Sequence, residues 1–124
     1  MKLASSHNEL EVFKLSFDTA MDVFRISKTF PDVEKYALTD QIRRSSRSVS
    51  ANIAESFRKR RYEKAFISKL SDSETEAAET QVWLKFALEC EYINKDIYSE
   101  LTNRYDLIIG KIINMINTSS KWCR

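Results

Sequence analysis

Residues 62–91 read YEKAFISKLSDSETEAAETQVWLKFALECE, and their pattern decides the fold. Phe66, Leu70, Ser73, Ala77, Thr80, Leu84 and Ala87 recur at alternating steps of four and three. That spacing places all seven on one stripe of a long helix, and no Gly or Pro interrupts it. Upstream, Leu38, Ile42, Val49 and Ile53 mark a similar stripe on a helix from about Thr39, whose hydroxyl is placed to cap it, to Phe57. Ser45 or Ser46 stands in that stripe where a large residue is expected, so a neighbouring helix is able to approach closely. Downstream, Asn94 reads as the N-cap of a helix that turns Ile97, Leu101, Tyr105, Ile108, Ile112 and Met115 inward, with Ile93 and Tyr98 as a hydrophobic staple. At the other end, Leu10, Phe13, Phe17, Ala20 and Phe24 predict a helix over Asn8 to Lys28. A Ser6–Glu9 capping box opens it and Pro31 closes it, followed by a short turn through Glu34, Lys35 and Tyr36.

Short connections make successive helices antiparallel neighbours. The expected fold is therefore all-α, an antiparallel up-down-up-down four-helix bundle in a single domain over residues 1–124. Composition agrees. One Gly and one Pro in 124 residues cannot supply the tight turns of an all-β chain, and 43% hydrophobic with 31% charged residues excludes a disordered one. The start of the chain turns polar too early for a signal peptide, and no apolar run is long enough for a membrane span, so the expected location is cytoplasmic. Cys90 and Cys123 stand far apart with no CxxC and no neighbouring His, which reads as two reduced thiols, with a disulfide or redox pair as the alternative.

Two stretches are more apolar than one bundle stripe requires. Around Val82, Trp83, Leu84, Phe86 and Leu88, and again around Ile109, Ile112, Ile113 and Ile116, apolar residues nearly encircle their helices. The surplus suggests a homo-oligomer whose interface includes Trp83, Phe86, Ile109 and Ile113. The alternative is scattered exposed apolar residues, which are common on monomers.

The net charge of +2 conceals a segregation. Residues 41–69 carry nine basic side chains against Glu55 and Glu63, whereas residues 71–91 carry six acids against Lys85. Arg43, Arg44, Arg47, Arg58, Lys59, Arg60, Arg61 and Lys64 form the candidate nucleic-acid-binding set, rich in arginine, whose planar fork suits phosphate. A solvated face is the plainer explanation of such a run. Asn52 and Glu55, three apart on the second helix, read as structural, with Glu55 paired to Arg58 or Lys59 and Asn52 bonding across the bundle. Catalysis has little support. His7 is the only histidine, no metal-ligand spacing or glycine loop is present, and neither a catalytic residue, a metal nor a cofactor is expected.

Phe30-Pro31, the run Tyr36 to Ser45 containing Gln41-Ile42-Arg43-Arg44, Ser48-Val49, Asn52-Ile53-Ala54-Glu55 and Arg58 resemble a known pattern. It is that of the four-helix bundle proteins encoded within intervening sequences of bacterial 23S ribosomal RNA genes. The similarity runs from Val12-Phe13-Lys14-Leu15 through Gln81-Val82-Trp83-Leu84 to Cys90-Glu91-Tyr92-Ile93. Where the family has Gly after the Asn-Ile-Ala-Glu run, this chain has Ser56, which leaves the end of the second helix and the arginine loop less defined. The resemblance implies a homo-oligomeric ring of five bundles and a nucleic-acid-associated role without known catalysis. A more distant similarity is to the accessory subunit of diversity-generating retroelements, which binds a reverse transcriptase and RNA through a basic surface. Only Arg43, Arg44, Asn52, Glu55 and Arg58 match the most recognisable family positions.

Three functional expectations share the same charges. The first is a non-enzymatic protein that presents arginine patches to structured RNA. The second is a scaffold that docks a partner enzyme such as a reverse transcriptase. In the third, the basic zone meets the acidic zone of the next subunit and only builds the ring.

Overall fold

The computed structural model describes residues 6–124, so Met1–Ser5, the stretch read above for a leader, lies outside the described residues. Four long helices, α1 (Glu11–Ser27), α2 (Leu38–Arg58), α3 (Glu63–Glu89) and α4 (Lys95–Asn117), are followed by a single turn, α5 (Ser119–Trp122). Short 3-10 turns at His7–Glu9 and Asp32–Glu34 precede α1 and α2. The long helices pack as a closed square in which α1 touches α2 and α4, and α3 touches α2 and α4. The expected up-down-up-down bundle is what the chain forms. No described helix is long and apolar enough to cross a membrane.

The α3 stripe is buried at every expected position, Phe66, Leu70, Ser73, Ala77, Thr80, Leu84 and Ala87. On α2, Leu38, Ile42, Ser45, Ser46, Val49 and Ile53 are likewise buried. The small residues do close two helices on each other: Thr80 Oγ1 donates to Ser45 Oγ at 2.8 Å, and Ser73 Oγ donates to the Val49 carbonyl at 2.7 Å. Asn94 caps α4 as expected, its side chain accepting from the Ile97 amide at 2.8 Å. Tyr105 is fully buried, and its hydroxyl, like the Trp83 indole N–H, finds no hydrogen-bond partner among the described residues.

α1 departs from its expected face. Leu10 and Ala20 are buried as expected, but Val12, Ser16, Thr19, Val23 and Ser27 supply the rest of the inward face, while Phe13 and Phe24 are half-buried at the margin and Phe17 is exposed. The aromatic spacing is genuine, but contact with α2 is made by hydroxyl-bearing residues, Ser16 and Ser50 sharing a hydrogen bond of 2.9 Å. A stripe weighted toward large residues therefore lies rotated toward the edge of the buried face. Helix ends differ as well. Ser6 caps the 3-10 turn through the Asn8 amide, and α1 itself starts after Leu10 without a side-chain cap. Thr39 lies buried inside α2, whose first turn instead uses Glu34, which accepts from the Leu38 amide.

α3 ends with Glu91 in the left-handed region at φ 63°. The Tyr92 amide donates to the Ala87 carbonyl and the Glu91 amide to the Leu88 carbonyl, the paired bonds of a Schellman cap. A chain with one glycine places Glu where Gly is usual, at a cost of about 1 kcal/mol. That single glycine, Gly110, lies within α4, where an added methyl would meet nothing.

Candidate nucleic-acid interface

Helix geometry divides the basic residues of α2 and the following turn into two groups. Arg47 and Arg58 are eleven residues apart, roughly 16 Å along the helix. On the side facing α1, the Lys28 ammonium and the Arg43 guanidinium each lie 4.8 Å from the centre of the Phe24 ring, and the Arg47 guanidinium lies 5.6 Å from it. Arg43 Nε also donates to Ser27 Oγ at 2.7 Å. One marginal aromatic ring thus gathers three cations, at about 0.5–1 kcal/mol for each exposed contact.

Arg44 is not part of that group. It turns toward α3, where Glu79 lies 3.2 Å away and Glu76 3.6 Å away. Burial first, then a hydrogen bond with Glu79, pushes the Glu76 carboxyl above the ordinary carboxylate range, and Arg44 opposes the shift. Basic and acidic zones therefore meet partly within one chain. Lys69 is also neutralised, by Glu55 at 2.8 Å, and that hydrogen bond raises the Lys69 pKa. Glu55 thus pairs across to α3 rather than with Arg58 or Lys59. Asn52 donates to the Ser48 carbonyl one turn back on its own helix rather than across the bundle.

The second group occupies the end of the bundle. α2 runs two residues past Ser56, which is buried and donates to the Ile53 carbonyl at 2.7 Å, so the position where the family has Gly lies inside this helix, which ends at Arg58. Arg58, Lys59, Arg61 and Lys64 are exposed around the turn. Arg60 is not: only 8% exposed, it donates from Nε to the Phe57 carbonyl at 2.9 Å and stacks 3.5 Å from the Phe57 ring centre. Its place is structural as well as electrostatic, which corrects the expectation of a connection that contributes little to the core.

Arg124 completes this end, a residue the sequence pattern did not single out. The turn of α5 carries the chain back, and the Arg124 amide donates to the Arg60 carbonyl at 3.2 Å. Phe57, Arg58, Arg60, Arg61 and Arg124 line a cleft of about 410 Å³. Burial, then the charge of Arg124, lowers the Arg60 pKa from its usual value, and Arg58 adds to the effect.

Of the apolar candidates, Trp83 and Ile109 are half-buried against the chain's own core. Phe86 is 53% exposed and Ile113 39% exposed. Val82, part of the same apolar stretch, and Leu107 are also exposed. Cys90 is exposed at the end of α3 and Cys123 half-buried beyond α5, both as free thiols. No group of metal-ligating side chains occurs among the described residues.

Residues 8–115 match the 23S rRNA-intervening sequence protein family. A crystal structure of a protein of unknown function from the S23 ribosomal protein family of Bacteroides thetaiotaomicron is similar, at 30% identity and a TM-score of 0.77. The alignment covers 85% of this chain and 97% of that one. No curated protein matches the chain.

Proposed function

The chain belongs to the 23S rRNA-intervening sequence protein family, and from that premise we propose that it is a non-catalytic binding protein for structured RNA. One observation carries this reading. Of the nine basic side chains in residues 41–69, Arg44 and Lys69 are paired with carboxylates, while Arg43, Arg47, Arg58, Lys59, Arg60, Arg61 and Lys64 have no ion-pair partner among the described residues. None of these seven charges lies within ion-pair distance of a carboxylate of the described residues. Such clustered, unpaired cations supply the electrostatic attraction that phosphate backbones need.

Lysine acylation with and without a hairpin RNA tests the surface used. Lys59 and Lys64 at the bundle end should lose reactivity when RNA is added. Lys95, exposed at the opposite end where α4 begins, should stay reactive. Uniform protection, or protection of Lys95 alone, would count against this surface.

Self-association belongs to the same proposal. Val82 and Phe86 are exposed on α3 and, with Ala78, line an apolar cleft of about 370 Å³. A second copy of the chain is the proposed occupant, in a closed ring of five as the family resemblance implies. Repeating the cationic groups around a ring would multiply weak contacts on one RNA.

A further inference from the structure

The two cationic groups differ in their surroundings, and the difference concerns what each would hold. Lys28, Arg43 and Arg47 gather around the Phe24 ring on the flank between α1 and α2, and the cleft that Arg43 and Arg47 line there has Asp40 in its wall. Arg58, Arg60, Arg61 and Arg124 line one cleft of about 410 Å³, with no acidic side chain in its wall. None of the four forms an ion pair among the described residues.

Arg60 is the anchor of this arrangement. Its aromatic stack and its bond to the Phe57 carbonyl fix the planar fork without using a carboxylate, and the Arg124 amide is tied to its carbonyl. A buried cation beside two others is electrostatically unfavourable unless an anion joins it. A phosphodiester brings one negative charge, whereas a phosphomonoester brings about −1.5 to −2 at neutral pH and three acceptor oxygens. Several arginines in the wall of one cleft favour the second, because a guanidinium presents a two-pronged contact to a pair of phosphate oxygens.

Resting on the RNA-binding reading, the geometry points to the Arg58–Arg60–Arg61–Arg124 cleft as a site for a terminal phosphomonoester of an RNA strand. The cleft has room for the phosphate and part of the sugar that carries it. Phosphate at a 5′ end and at a 3′ end share this chemistry, and the experiment separates them.

One RNA sequence is prepared in three forms, with a 5′-phosphate, with a 3′-phosphate, or with hydroxyls at both ends, and each is titrated by calorimetry. At least one phosphorylated form should bind about tenfold more tightly than the hydroxyl form. That gain should vanish in the Arg58→Ser/Arg124→Ser double variant, whose melting temperature should match the parent because both side chains are exposed. Inorganic pyrophosphate should compete with the phosphorylated form more effectively than with the hydroxyl form. Equal, measurable binding of all three forms would overturn end recognition and leave RNA binding standing. A gain that survives in the double variant would place end recognition elsewhere and also overturn the assignment. Failure of all three to bind at low salt would remove the RNA-binding reading and this one with it.

Discussion

Replacing Arg58, Lys59, Arg61 and Lys64 together by Ser is expected to weaken binding of a structured RNA on the order of 100-fold at low salt. These four are exposed and lack carboxylate partners, so nothing within the chain depends on them. Each lost phosphate contact should make the log–log salt slope shallower by about 0.9. Surface changes of this kind usually alter stability by about 0.5 kcal/mol or less each, so the helical melt should hardly move. Arg60 is left in place deliberately. Its guanidinium covers Phe57 and bonds the Phe57 carbonyl, and its removal would confound a binding defect with an opened bundle end. Unchanged affinity in the fourfold variant, with the fold intact, would move the RNA site away from this end.

The second large effect concerns assembly. The Val82→Glu/Phe86→Glu double variant should convert an oligomer into a 14.5 kDa monomer in light scattering at micromolar concentration. Burial of the exposed halves of one Val and one Phe contributes about 0.8–1.5 kcal/mol each, so their loss weakens an interface by roughly 10–10²-fold. Both side chains are about half exposed in the single chain, so the bundle itself tolerates the change. A parent protein that remains a 14.5 kDa monomer at high concentration would end the assembly proposal. So would a double variant that keeps the parental mass.

What the sequence revealed about this fold depended on how each helix is packed. The buried stripe of α3 keeps alternating steps of four and three over its whole length, and all seven positions from Phe66 to Ala87 were legible. α1 was read from its phenylalanines, yet its contact with α2 runs through Ser16 and Ser50, and small hydroxyl residues do not register as a stripe. The candidate site shows the same division. That Arg43 and Arg47 belong together followed from their spacing of four on a helix. That Arg44 faces two glutamates did not, because pairing across helices needs the rotation of α2 against α3. Arg60 looked like one more member of a basic run, but the turn after α2 places it under the bundle end while its neighbours stay in solvent. Arg124 lies sixty-four residues from Arg60, and only the fold of α5 brings them together.

The most direct test is the affinity of the parent protein for a hairpin RNA, measured across a range of salt concentrations. Binding through the unpaired groups of α2 and the bundle end predicts a steep linear fall of log K with log salt, with a slope of about −3 to −6 for the phosphates these groups are able to neutralise. No binding at the lowest salt, or binding with a slope near zero, would contradict it.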